Sequence, residues 1–118
     1  MEVSGQLFDR IRDGTKKVEG RKDSPTWSKI QEGSLLYITR TENIYEGFLA
    51  RVTRVTLYKG TDPLLAYLSG EGVVNVLPGV ADTISRGILF YTPLLGGIDE
   101  IEKYGMKAIQ LEIMAGQC

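Results

Sequence analysis

The feature that most constrains this chain is a long run of strand-forming residues, "GFLARVTRVTLY" at 47–58. β-Branched and aromatic residues at this density favour an extended backbone. The apolar side chains of this run lie at even positions before Thr53–Arg54 and at odd positions after it. A β-bulge there would restore one apolar face and bend the strand. We therefore predict a long bulged strand of the kind that builds curled sheets and small barrels.

Two further segments predict the neighbours of this strand. "SLLYITRT" at 34–41 is apolar on both side-chain phases, which predicts a central strand and places Tyr37 in the core. "MKAIQLEIM" at 106–114 alternates clearly and predicts a closing strand. Its residues are predicted to face inward at Ile109, Leu111 and Ile113, and outward at Ala108, Gln110 and Glu112.

The remaining periodic segments predict helices. They lie at 4–13 with Ser4 as N-cap and Gly14 as stop, at 61–72, at 82–91 with Asp82 as N-cap, and at 96–105, where a turn is the alternative. Strands followed by inserted helices and a closing strand indicate the α+β class. We predict one domain over 1–118, a small curled mixed sheet or β-barrel with flanking helices and a helical insertion at about 61–104.

Composition excludes several classes of function. The chain has 118 residues and a net charge of −1, which disfavours a broad electrostatic grip on duplex DNA. It has no histidine, and its one cysteine is Cys118. We therefore expect no metal site and no other cofactor. Neither a signal peptide nor an apolar run of membrane-spanning length is present, so we expect no membrane partner and an intracellular, cytoplasmic location.

The stretch "DGTKKVEGRKD" at 13–23 combines four cations with one central carboxylate. Its spacing Gly14-x-Lys16-x-x-Glu19-x-Arg21 reproduces the G-x-K-x-x-E-x-R signature of the ASCH domain, a family of the PUA-like superfamily. The later segment "LLAYLSGEGVVNVLPGV" resembles the family's "YL…EG…LPG" pattern, and "EKYGMKAIQLEI" is similar to its closing strand. The resemblance covers nearly the whole chain.

The resemblance implies a small PUA-like β-barrel core with a cleft beside the motif strand. It also implies a partner, either single-stranded RNA or a modified nucleoside or nucleotide. In the cleft, Gly14 would allow the turn and Lys16 would hold a phosphate as a point charge or act as a general base. Glu19 and Arg21, two residues apart on a strand, share a face and would form an oriented pair that reads the ligand. The alternative for this pair is a surface ion pair that only orders the strand.

Two residues outside the motif complete the predicted binding set. Trp27, in the loop after the motif, could stack on a base. The alternative for Trp27 is packing in the core or in a lid. Arg40 ends the strand at 34–41, and its family position implies that it reaches into the same cleft. The alternative for Arg40 is a solvated charge at the point where the strand meets water.

An enzyme is the second hypothesis. Some ASCH members resemble amidohydrolases that deacylate N4-acetylcytidine through a lysine, a threonine and a glutamate, and others resemble ribonucleases. Lys16 and Glu71 match the lysine and the glutamate, but Glu19 occupies the threonine position and cannot act as a hydroxyl nucleophile. We therefore place RNA or nucleotide binding ahead of catalysis. The third hypothesis is an interaction protein that uses "GILFYTPLLGG" at 87–97 as its contact surface.

Overall fold

The computed structural model describes residues 1–114, and Cys118 lies outside the described residues. The strands are β1 (Glu2–Val3), β2 (Val18–Lys22), β3 (Leu35–Arg40), β4 (Asn43–Tyr58) and β5 (Met106–Ile113). The helices are α1 (Gly5–Arg12), α2 (Pro63–Glu71), α3 (Val73–Val76), α4 (Ile84–Leu94) and α5 (Ile98–Tyr104). The four helices α2–α5 all lie between β4 and β5 in the chain.

The strands form one curled, mixed five-stranded sheet in the order β1-β3-β4-β5-β2. β4 is the central strand and pairs antiparallel with β3 and β5. β2 pairs antiparallel with β5, and β1 pairs parallel with β3. The α+β class and the curled sheet with flanking helices are therefore confirmed.

The bulge in β4 is also confirmed. Val52 pairs with Leu111 and Arg54 pairs with Gln110, so the register of β4 against β5 shifts at Thr53. The extra residue on β4 restores one inward face across the shift. Ala50 and Val52 before the shift and Val55 after it then lie on the same side of the sheet, next to the inward residues of β5. The phase slip in the sequence therefore marks the bend of the sheet.

β3 lies between β1 and β4 in the sheet, but the prediction that both of its faces are buried was wrong. β3 is next to the sheet edge, because its outer neighbour β1 spans only two residues. Leu35 and Tyr37 are 59% and 52% exposed, so the prediction that Tyr37 lies in the core was also wrong. The apolar residues on both phases of this strand reflect an exposed apolar face rather than burial on two sides.

The closing strand β5 is buried on both faces over its first half. Ile109 and Leu111 are buried as predicted, but Ala108, predicted to face outward, is buried too. Ala108 pairs with Gly20 of β2, and Tyr67 of α2 packs directly on Gly20. Helix α2 therefore covers the face that the alternation assigned to solvent.

Helix α1 closes one side of the sheet. Its apolar stripe is buried, and the ring of Phe8 lies 5.2 Å from that of Phe48 on β4. Ser4 takes the N-cap position with an extended backbone, without a capping side-chain hydrogen bond. After the helix, Gly14 adopts a φ of +87°, a conformation that L residues with side chains rarely adopt, and so turns the chain toward β2.

Side chains cap helices α2 and α4, and the cap of α4 differs from the prediction. Asp62 caps α2 by accepting a 3.1 Å hydrogen bond from the Leu65 N–H. The predicted cap Asp82 is wrong for α4, because the Thr83 hydroxyl accepts from the Arg86 N–H at 3.2 Å. Asp82 instead pairs with the Arg86 guanidinium at 3.4 Å. Among residues 1–114, no helix has the length and apolarity needed to cross a bilayer.

Candidate ligand-binding cleft

A cleft of about 200 Å³ lies beside β2, the strand that carries the motif. Glu19 and Arg21 form its polar wall. Phe90, Tyr91 and Leu94 of α4 form a largely apolar wall. Clefts for drug-sized ligands span about 300–1,000 Å³, so this cleft suits a smaller group such as a single base.

Lys16 lies behind this cleft and is fully buried. Its Nζ donates to the Val18 carbonyl at 2.5 Å and to the Val76 carbonyl of α3, and it lies 3.4 Å from Glu19 Oε1. A lysine ammonium has three N–H donors, and these three partners use all of them. Burial lowers the pKa of Lys16, and the charge of Glu19 opposes that shift. The geometry therefore gives Lys16 the task of holding Glu19, and leaves it no donor for a phosphate.

Glu19 links the buried lysine to the open part of the cleft. Its Oε1 accepts from the Gly20 N–H at 3.2 Å, and its Oε2 accepts from Arg21 at 3.0 Å. Burial alone would raise the pKa of Glu19, but the charges and hydrogen bonds of Lys16 and Arg21 hold it below its usual value. Glu19 is therefore a fixed carboxylate at neutral pH.

Arg21 is the cation at the open side of the cleft, with 21% of its side chain exposed. Its Nη2 also donates to the Glu2 carbonyl at 2.7 Å. The guanidinium carbon lies 4.9 Å from the centre of the Trp27 ring, within cation–π range. The structure thus brings together three of the predicted binding residues, Glu19, Arg21 and Trp27.

Lys107 of β5 was missed by the sequence analysis. It is buried, and its Nζ donates to the carbonyls of Trp27 and Ser28 at 2.7 and 3.2 Å. It also lies 3.7 Å from Asp23 Oδ1. These bonds anchor the loop that holds Trp27 over Arg21. A signal was present in the sequence, because Lys107 has the same side-chain phase as the inward residue Ile109.

Two buried tyrosines are paired at the cleft, Tyr91 in its wall and Tyr67 behind it. The hydroxyls of Tyr67 and Tyr91 lie 2.9 Å apart. Tyr67 packs so closely on β2 that a Cβ at Gly20 would lie 2.5 Å from its Cζ, so a glycine is needed there. Burial raises the pKa of both tyrosines well above the usual value, so both remain protonated.

The structure places Gly14 and Arg40 outside this cleft. Gly14 lines a larger cavity of about 600 Å³ between the end of α1 and β5. Arg40 donates to Glu46 Oε2 at 3.0 Å and to Asp9, and its guanidinium carbon lies 4.6 Å from the centre of the Phe8 ring. Arg40 therefore belongs to a separate cluster that ties α1 to β3 and β4.

Glu71 is held in a third cluster. Its Oε1 accepts from Arg54 at 3.0 Å, and its Oε2 accepts from the Tyr58 hydroxyl at 2.5 Å. Burial and the bond to Glu71 raise the pKa of Tyr58 to about 12. The predicted catalytic pair is thus divided, since Lys16 binds Glu19 and Val76 while Glu71 binds Arg54 and Tyr58. Within residues 1–114, no group of three or more acidic or cysteine side chains is placed to hold a metal ion.

Comparison with known proteins gives structural relatives only. No protein-family model matches the chain, and no curated protein matches it significantly. The fold is similar to that of hypothetical protein PH0355 from Pyrococcus, with a TM-score of 0.80 and 26% identity over 97% of this chain and 96% of that chain. It is also similar to protein PF0455 from Pyrococcus furiosus, with a TM-score of 0.71 and 28% identity over 98% and 99% of the two chains. Neither protein's name states an activity.

Proposed function

We propose that this chain binds single-stranded RNA or a modified nucleotide, with one base in the cleft beside β2. The observation that carries the proposal is the stacked and hydrogen-bonded set formed by Glu19, Arg21 and Trp27. A guanidinium fixed by a carboxylate and an indole presents donors in a defined direction. Bases of single-stranded RNA are read in this way, through stacking on aromatic or guanidinium planes and hydrogen bonds to their exposed edges.

The residues divide into contacting and positioning groups in this proposal. Arg21 donates to a phosphate or to an acceptor on the base edge. Trp27, which stacks on Arg21 but does not itself line the cleft, offers a stacking surface beside it. Glu19 orients Arg21 and presents a carboxylate oxygen to the cleft. Lys16 keeps Glu19 charged and in place from behind the cleft.

The contacts favour binding over hydrolysis. A lysine general base needs a free amine within reach of the proton that it removes, and the amine of Lys16 is bonded to two carbonyls and Glu19. Glu71 belongs to a different cluster, which does not line the cleft. An amidohydrolase or ribonuclease built on Lys16 and Glu71 would require both clusters to open.

A fluorescence-anisotropy titration with short labelled single-stranded RNA tests the proposal, at low and at moderate salt. The variants are Arg21→Gln and, as a matched control, Arg51→Gln, since Arg51 is exposed on β4 and lies away from the cleft. Loss of a charged hydrogen bond of about 1.5–3 kcal/mol should weaken binding by about 10- to 100-fold for Arg21→Gln only.

Equal affinities for the two variants would contradict the assignment of the cleft, and absence of RNA binding by the wild-type protein would reject RNA as the ligand. The bound RNA is then run on a denaturing gel. Strands shortened in an Arg21-dependent manner would replace the binding proposal with the ribonuclease alternative.

A further inference from the structure

The hydroxyls of the two buried tyrosines carry two protons, and the protein provides an acceptor for only one of them. Tyr67 and Tyr91 each have one O–H donor, and the 2.9 Å bond between them uses only one of the two. In the described part of the chain, neither hydroxyl has another hydrogen-bond partner. Both side chains are almost completely buried, at 0% and 1% exposure. One buried O–H is therefore left to find an acceptor that the protein does not provide.

The surroundings of the two rings decide which hydroxyl carries this proton. Tyr67 is enclosed by Gly20, Tyr58 and Tyr91 and does not line the cleft. Tyr91 lines the cleft. If Tyr91 donated to Tyr67, the proton of Tyr67 would remain inside the protein without an acceptor, which is unfavourable. The favoured arrangement has Tyr67 donating to Tyr91, which leaves the proton of Tyr91 for the cleft.

We propose that the Tyr91 hydroxyl is a specificity-determining donor for the base bound in the cleft, and that Tyr67 fixes its orientation. This inference rests on the proposed function and names the chemistry that the cleft selects. The ligand it fits is a flat heteroaromatic ring with an acceptor, either a ring nitrogen or a carbonyl oxygen, directed at Tyr91. Phe90 and Leu94 beside Tyr91 have no acceptor, and the Glu19 carboxylate, which also lines the cleft, is bonded to Gly20, Arg21 and Lys16 and not to Tyr91 in the described structure.

The selection follows from desolvation. A ligand that brings an acceptor to Tyr91 completes the hydrogen bonding of the pair. A ring of the same shape without that acceptor leaves the O–H buried and unpaired, and sites of this kind reject such analogues strongly. The Tyr91 hydroxyl stays protonated at neutral pH because burial, supported by the charge of Glu19, raises its pKa.

The test compares Tyr91→Phe with Tyr67→Phe. Both variants delete the same hydrogen bond between the two hydroxyls, so they share its structural effect, which urea unfolding of both proteins measures. Only Tyr91→Phe removes the donor from the cleft, whereas Tyr67→Phe leaves Tyr91 free to donate. We expect Tyr91→Phe to weaken ligand binding about tenfold more than Tyr67→Phe does, as for the loss of one hydrogen bond.

The probes are the short single-stranded RNA and the four free ribonucleosides. Their binding is measured by the change in fluorescence of Trp27, the only tryptophan in the sequence. Equal loss of affinity in the two variants would overturn the role of Tyr91 while leaving the binding function intact. If nucleosides bind and RNA does not, the RNA proposal fails and the two variants are compared on the tightest nucleoside. If neither probe binds the wild-type protein, both proposals are overturned.

Discussion

Two arginine–carboxylate clusters in this molecule have similar chemistry and very different surroundings. The inner cluster is Lys16, Glu19 and Arg21, and the outer cluster is Asp9, Arg40 and Glu46. The side chains of Lys16 and Glu19 are 0% and 7% exposed, whereas those of Asp9 and Glu46 are 51% and 35% exposed. Water can replace a lost partner in the outer cluster but not in the inner one. Burial, rather than the residue types, therefore decides which cluster the protein depends on.

The largest expected effect is that of Lys16→Met, which keeps most of the side-chain volume and removes the charge. The carboxylate of Glu19 loses a buried partner, and the carbonyls of Val18 and Val76 lose their donor. Removing one partner of a buried ion pair destabilises proteins by about 3–5 kcal/mol, and we expect a loss of this size in the free energy of unfolding. Urea denaturation followed by circular dichroism measures it.

The adjacent Lys17 provides the matched control, because it has the same side chain and is exposed. Lys17→Met should leave the unfolding midpoint close to that of the wild-type protein. Similar midpoints for the two variants would remove the distinction between the inner cluster and an ordinary surface pair.

The second effect is on the pH dependence of stability. The pKa of Glu19 is below its usual value in the folded protein. As the pH falls, the unfolded chain therefore binds more protons than the folded protein does. The resulting stabilisation is present above the usual pKa of 4.5 and is lost as the pH falls through the lowered native value. We expect Glu19→Gln to flatten the acid side of the stability profile.

High salt separates the contribution of Glu19 to the pH dependence of stability from that of Glu46. The pKa of Glu46 is lowered mainly by its hydrogen bond to Arg40. At about 1 M NaCl, where the screening length is about 3 Å, exposed pairs are screened and buried pairs much less so. Glu46→Gln should therefore flatten the profile at low salt only, and Glu19→Gln at both salt concentrations. If high salt abolishes the Glu19 contribution, the inner cluster is more hydrated than its burial indicates.

The smallest expected effect is that of Arg40→Gln. This change removes the bonds to Asp9 and Glu46, whose carboxylates can be hydrated, and the stacking on the buried Phe8 ring. We expect a thermal midpoint much closer to the wild-type value than that of Lys16→Met, and a difference that shrinks further at high salt. A loss as large as that of Lys16→Met would show that the outer cluster is the one that holds α1 to the sheet.

The sequence predicted the fold best where only one local structure is compatible with the pattern of apolar residues. The phase slip at Thr53 located the bulge, and the apolar stripe of α1 located its buried face. The exposed face of β3 could not be predicted in the same way. Apolar residues on both phases give the same pattern whether the second face is buried or exposed, and only the elements that pack on that face separate the two cases.

The site was predictable only for its local contacts. Glu19 and Arg21 lie two residues apart on a strand, so their pairing followed from the spacing. The burial of Lys16 did not, because its acceptor on Val76 lies 60 residues away in the chain. Tyr91, which lines the cleft, and Lys107, which anchors the loop that carries Trp27, were missed because each reaches the site through the packing of a distant segment.

The pairing of β2 has a consequence for how the protein is made. β2, at the edge of the sheet, has β5 as its neighbour, and these strands lie near opposite ends of the described chain. A ribosome synthesises residues 18–22 well before residues 106–113, so the motif strand is made long before its hydrogen-bonding partner exists. β2 therefore stays without its strand partner until residues 106–113 have been made, and the cleft beside β2 can form only after that.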